Sequence, residues 1–329
     1  MSIVQLDHVR KVYGAKVAVE DLSFSIQPGT MFGLLGPNGS GKTSSIRMMI
    51  GITLPDSGSV SLFGKPFTRD VLSRVGYLPE ERGLYKKMKV LDQLVFLGSL
   101  HGLSMAESRR RSIAWCERLE IVEALPKRTE DLSKGMQQKI QFIASLLHDP
   151  DLIIMDEPFS GLDPVNAVLL MDTLVDMRRA GKTVLFSTHR MDQVEKLCDG
   201  IALIHRGHLV LSGSMAEIKS SYPRYRVHIC FDGDDAFLSH PSIASVKRYP
   251  GRAEIRLRPS PTLDDDCQAL LAAAMLHARI LRFEVTQPTL EEIFIEKVQE
   301  AKPAKNGAPP PDVTFDDLER QPEEVGLDA

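Results

Sequence analysis

The chain has 329 residues, 43% of them hydrophobic and 26% charged, with a formal net charge of −4. That length exceeds what one compact core fills, so two domains are expected. The segment Ala301 to Ala329 holds seven acidic and three basic residues, which accounts for the whole −4 and leaves the rest neutral. A basic footprint for nucleic acid is therefore not expected, and Arg109-Arg110-Arg111 reads as a solvated helix face. Cys116, Cys198, Cys230 and Cys267 stand far apart with no Cys-x-x-Cys pair. This spacing excludes a zinc knuckle and a secreted disulfide framework, and reduced thiols in a cytosolic protein are expected. Neither a signal peptide nor a run of about 18 apolar residues is visible, so a membrane role is expected to pass through a partner.

In chain order, residues 2 to 28 alternate apolar and polar positions, as in Leu22-Ser23-Phe24-Ser25-Ile26, and read as antiparallel strands. The solid apolar run Met31-Phe32-Gly33-Leu34-Leu35 reads as a buried strand. It leads into Gly36-Pro37-Asn38-Gly39-Ser40-Gly41-Lys42-Thr43, and Ser44 to Met49 reads as the helix that follows. Strand, glycine loop and helix N-terminus together form an anion trap. Successive backbone N–H groups converge on phosphates, and the helix dipole adds partial positive charge. Lys42 is placed to reach the β- and γ-phosphates, and the Thr43 hydroxyl to ligate Mg²⁺.

Ser59 to Gly64 adds a strand, and from about Val90 to Ala144 the periodicity turns helical. Buried strands return at Leu152 to Met155 and Val184 to Phe186. Ile201 to Ile204, the turn Arg206-Gly207, and Leu209 to Leu211 read as a hairpin. A second, smaller α+β domain is expected over 221–300, with strands at Tyr225 to Cys230, Ala253 to Leu257 and Ile280 to Val285. Helices are expected there at Leu263 to Leu276 and Leu290 to Val298. Beyond Ala301 the proline-rich acidic tail, residues 301–329 with Pro309-Pro310-Pro311, is expected to be disordered.

Asp156 and Glu157 close the strand that begins at Leu152. A carboxylate there can hold Mg²⁺ opposite Thr43, and a second can take a proton from attacking water. By itself an acidic pair after a strand is an ordinary turn; after a phosphate loop the functional reading is stronger. His189 ends the next apolar strand in Ser187-Thr188-His189. A lone histidine there is more often structural, but a strand beside that of Asp156 would bring it to the γ-phosphate.

The ordered set Gly36–Thr43, Leu132-Ser133-Lys134-Gly135-Met136-Gln137-Gln138, Asp156-Glu157, Ser160-Gly161-Leu162-Asp163 and His189 resembles an ABC-type ATPase subunit over about residues 3 to 215. The resemblance implies an α/β fold of the P-loop NTPase type. It has a mixed sheet core, an antiparallel β subdomain and a helical subdomain at about 86–145, all within 1–220. It implies that Tyr13 stacks on adenine and that Ser133 and Gly135 touch the γ-phosphate of ATP held by a second subunit. It places Asp163 at the subunit contact. Glu157 is then the general base, His189 holds the γ-phosphate and the attacking water, and two ATP molecules lie between head-to-tail subunits.

Two positions depart from the family's commonest pattern. Lys134 and Met136 replace the third and fifth residues of Leu-Ser-Gly-Gly-Gln, and Glu80 stands where a glutamine is usual. A carboxylate at Glu80 can still ligate Mg²⁺ while adding negative charge near the γ-phosphate. Leu78-Pro79-Glu80-Glu81-Arg82-Gly83-Leu84-Tyr85 and Pro288 to Ile295 are similar to the branch paired with ABC-2-type exporter permeases, including sodium-extrusion and drug-export systems.

The expected function is an ATPase subunit, homodimeric as the resemblance implies, at the cytoplasmic face of the membrane and driving a separate permease. The alternative is a soluble ABC ATPase acting as scaffold or assembly factor. Only about 90 residues separate Thr43 from Leu132, which leaves no room for the long coiled coil of chromosome and repair members. A GTPase or kinase using the same loop would lack an account of Leu132–Gln138 and His189. The transported substrate is not legible, because the permease holds its path.

Overall fold

The computed structural model describes residues 1–81, 83–222 and 226–300. Two compact units divide it, one built on Met1–Met215 and one on Ala216–Glu296. The sequence reading places that division slightly later, at 220/221. The tail 301–329, expected to be disordered, lies outside the described residues.

The strands of the first unit are β1 (Val4–Tyr13), β2 (Lys16–Ile26), β3 (Met31–Leu35), β4 (Ser57–Leu62), β5 (Lys65–Pro66), β6 (Val75–Leu78), β7 (Leu152–Asp156), β8 (Thr183–Thr188), β9 (Gly200–His205) and β10 (His208–Ser214). Their spatial order is β5-β4-β1-β2-β10-β9-β3-β8-β7-β6. Strands β1, β2, β4 and β5 pair antiparallel, whereas β9, β3, β8, β7 and β6 run parallel. A single parallel bridge, His208 to Asp21, joins the two parts. In β3, β7 and β8 every position is buried, which is why Met31–Leu35, Leu152–Met155 and Val184–Phe186 are apolar without alternation. The turn Arg206-Gly207 has φ of 49° and 80°, the two positive angles of a tight hairpin turn.

Helices α1 (Lys42–Met49), α2 (Val90–Leu100), α3 (Met105–Arg118), α4 (Lys134–Leu146), α5 (Pro164–Arg179) and α6 (Met191–Leu197) complete this unit. The Ser104 hydroxyl caps α3 by accepting from Glu107 N–H, and Glu107 in turn binds Arg110 and Arg111. Two of the three consecutive arginines are thus engaged within their own helix.

The second unit holds most of α7 (Met215–Ser220), then β11 (Arg226–Gly233), β12 (Ile243–Tyr249), β13 (Arg252–Leu257), α8 (Leu263–His277), β14 (Ala278–Thr286) and the first part of α9 (Leu290–Glu300). Its sheet is antiparallel in the order β12-β13-β11-β14. Val227, Ile229, Ile255 and Leu257 from the sheet pack with Cys267, Leu270 and Ala274 of α8 in one core. Strand β12 is an addition to the sequence reading: only Ile243 in it is buried, so its apolar signal is faint.

Candidate active site

Parallel pairing brings four strand ends to one edge of the sheet. Leu35 pairs with Thr188, Ser187 with Asp156, and Met155 with Leu78. The loops leaving these ends therefore emerge side by side, where open α/β sheets bind their ligands.

The loop after β3 is shaped by its glycines. Gly36 has φ 151° and Gly41 φ 112°. A Cβ on Gly36 would lie 2.1 Å from Ile204 O, and one on Gly41 2.5 Å from Ala18 O. Gly39 has open space around it but φ 77°, a backbone setting that L side chains rarely adopt. Gly41 precedes the first turn of α1, whose free N–H groups face the loop. Lys42, 6% exposed, donates to Gly36 O at 2.7 Å and Pro37 O at 3.0 Å.

The loop lines a cleft of about 390 Å³. Tyr13, Lys16, Ala18, Asn38 to Ser44, Glu80, Asp156 and Glu157 form its lining. The expected residues Tyr13, Asn38, Gly39, Ser40, Gly41, Lys42, Thr43, Glu80, Asp156 and Glu157 thus come together. Gly36 and Pro37 shape the loop from behind through their carbonyls.

Asp156 is 1% exposed. One of its oxygens accepts a short hydrogen bond from the Ser187 hydroxyl, and the other is buried without a protein partner. The same Ser187 oxygen accepts from Glu157 N–H at 3.0 Å. Glu157 takes φ 49°, so its side chain leaves the strand's alternation. Its Oε1 lies 3.1 Å from His189 Nδ1 and 4.0 Å from Lys42 Nζ. The contact joins the imidazole to the carboxylate through Nδ1 and leaves Nε2 to face other groups. Burial, then the Asp156 and Glu157 carboxylates, push the Glu80 carboxyl above its ordinary value, while Lys42 pulls the other way. Burial and then the Asp156 charge push the Tyr77 phenol up to about 12.

Ser133, Gly135 and Asp163 are not part of the cleft lining. The Ser133 hydroxyl caps α4 by accepting from Met136 N–H at 3.2 Å. A Cβ on Gly135 would meet only Leu162 Cδ2, at 3.7 Å. Asp163 caps α5, accepting from the backbone N–H of Asn166 at 3.0 Å and from its side-chain amide at 2.5 Å, and these bonds hold its carboxyl below the usual range. Sequence reasoning gave no site role to Ser187, Lys16, Ala18 or Ser44. For Ser187 a signal existed: a hydroxyl directly after the apolar run Val184-Leu185-Phe186.

A strand, a glycine loop gripping its own lysine, and two carboxylates on the neighbouring strand ends define a P-loop nucleotide-hydrolysing protein. Residues 19–160 match the ABC transporter family, and residues 213–298 match the C-terminal domain of DrrA1-3-like ATP-binding proteins. The chain is 43% identical over 297 residues to the ABC transporter ATP-binding protein YhaQ of Bacillus subtilis, covering 90% of this chain and 98% of that one. It is 38% identical over 223 residues to the Nod factor export ATP-binding protein I of Cupriavidus metallidurans, covering 67% and 74%. A solved ATP-binding subunit of an ABC transporter superposes with TM-score 0.62 at 29% identity, over 67% of this chain and 93% of that structure. The chain belongs to the ABC transporter ATP-binding proteins, and it binds and hydrolyses ATP as that family's ATPase subunit. Subunits of this family work with membrane permeases and dimerise; among the described residues no helix is long and apolar enough to cross a membrane.

Proposed function

We propose that the chain powers export through a separate ABC-2-type permease, seated at the cytoplasmic face of the cell membrane, and that two copies close head to tail on two ATP molecules. The observation that carries this reading is the split of the phosphate contacts. Lys42, Thr43 and the glycine loop lie in the cleft with Glu157, whereas Ser133 and Gly135 lie outside it. A second copy supplies them from across the interface. The export direction is supported by the relative whose name specifies export.

Tyr13, 42% exposed at the end of β1, offers its ring to adenine. The N–H groups of Gly39 to Thr43 and the Lys42 ammonium hold the phosphates. Glu157 takes the proton of the attacking water as general base, and His189 aligns that water with the γ-phosphate. The unpartnered oxygen of Asp156 fits a cation or its bound water, with the Thr43 hydroxyl and Glu80 as the remaining protein ligands. No group of three His, Cys, Asp or Glu among the described residues is arranged to cage a metal. Mg²⁺ would be held by Thr43, Asp156 and Glu80 together with ATP and water, and would neutralise charge on the β- and γ-phosphates. Asp163 serves the subunit contact through the α5 N-terminus that it caps.

Affinity capture of the chain from gently solubilised membranes of its host, followed by mass spectrometry, tests this reading. Recovery of a stoichiometric multispanning protein is expected. Capture of soluble partners alone, with the chain absent from membranes, would overturn it.

A further inference from the structure

Helix α4 carries three glutamine amides, and each is used on a backbone carbonyl of a different loop. Gln137 Nε2 donates to Thr129 O and Leu132 O. Gln138 Nε2 donates to Pro158 O at 3.1 Å. Gln141 Nε2 donates to Pro79 O at 3.0 Å and Glu81 O at 3.1 Å. Carbonyl oxygens only accept, so the amide orientations are fixed by their partners. Gln138 and Gln141 are 4% and 5% exposed, and a spacing of three puts them on one face of the helix.

What they hold matters more than how many bonds they make. Pro158 directly follows Glu157, and Pro79 and Glu81 flank Glu80. Both loops contain proline, which has no N–H to donate to a backbone ladder. The α4 amides instead tie these loops down through their carbonyls. Neither glutamine lines the ATP cleft, yet the two carboxylates beside their partners do.

We infer that Gln138 and Gln141 form a clamp through which α4 positions Glu157 and Glu80 in the ATP cleft. Both are positioning residues, and the inference rests on the roles proposed above for those carboxylates. The same helix begins at Ser133. Eight residues, about 12 Å of helix, separate that cap from Gln141. A nucleotide held by the partner copy and touching Ser133 is thereby linked, through one rigid element, to the carboxylates of this copy's own cleft.

The test uses the full chain with near-isosteric variants that lack the amide donor. Calorimetry in the Glu157→Gln background measures ATP affinity with and without Mg²⁺. Gln141→Met is expected to cut the gain in affinity that Mg²⁺ brings by about tenfold. Glu80→Ala should do the same, and the double variant should be no worse than Glu80→Ala alone, because coupled residues are not additive. With Glu157 intact, Gln138→Met should lower kcat about tenfold with the ATP KM within about twofold. Amide exchange guards against mere destabilisation: Gln141→Met should speed exchange at Leu78–Glu81 and leave the rest of the first unit as in the parent. If Glu80→Ala leaves the Mg²⁺ gain untouched, the reading of Glu80 fails. If Glu80→Ala acts but Gln141→Met is silent, additive, or loosens the whole unit, the clamp fails.

Discussion

The glycine loop and the signature segment are both glycine-bearing entrances to a helix, and they use glycine for opposite reasons. In the loop, Gly36 and Gly41 are demanded by the chain itself: positive φ and carbonyls at 2.1 and 2.5 Å leave no room for a side chain. In the signature, Gly135 sits in an ordinary helical turn, with only Leu162 in reach of an added Cβ. Nothing among the described residues requires a glycine there. That room fits the contact to another copy's ATP proposed above.

Variants can break or sharpen that contrast. The largest effect is expected on the cleft side from Glu157→Gln, with ATP turnover down about 10²- to 10⁴-fold and ATP binding retained. Near-normal turnover would remove Glu157 from the base role. Gly36→Ala should cost more than about 3 kcal/mol in denaturant unfolding, through the clash and the backbone strain together, and abolish ATP binding. Gly135→Ala should instead stabilise α4 by about 0.5–1 kcal/mol while lowering turnover about 10²-fold through a misplaced contact. If Gly135→Ala turns over ATP normally, the outside-contact argument is wrong. Ser133→Asp keeps the helix cap whereas Ser133→Ala loses about 1 kcal/mol of it; both should lose turnover, so stability and activity separate at this position.

The far end of α4 offers the mildest test. His148 is stacked on His101 with ring centroids 3.8 Å apart. Burial, and then His101, push its pKa down to about 4. The unfolded chain therefore binds the proton first. Stability from this site is complete above about pH 6.5 and is lost as the pH falls toward 4. With its partial exposure discounted, the loss is about 1–2 kcal/mol. His148→Gln, which can keep the bond to Val75 O, should flatten that part of the melting-temperature profile.

The parallel strands were legible because burial on both sides writes an unbroken apolar run, as in Leu152 to Met155. The four-residue edge strand β6 was not, since Val75-Gly76-Tyr77-Leu78 is short and contains glycine. Lys42 and Glu157 could be read from spacing because phosphate chemistry requires those types at those strand ends. Ser187 was signalled only as a hydroxyl after an apolar run, and the roles of the α4 glutamines were not legible, because their importance depends on which carbonyl or carboxylate the fold brings opposite them. Asp163 shows the intermediate case: its position was legible, but its bonds to Asn166 show that it also builds the helix behind it.

All four cysteines are free, and three of them, Cys116, Cys198 and Cys267, are buried. Burial pushes each of those thiols up, Cys116 to about 12. Cys230, on β11 between Arg252 and Arg282 in the ladder, is the half-buried one. The native chain thus comes with a built-in attachment point for thiol chemistry. A maleimide fluorophore placed there marks the second unit while the ATP cleft keeps its natural sequence, so that unit can be labelled in the parent protein without a cysteine-free background.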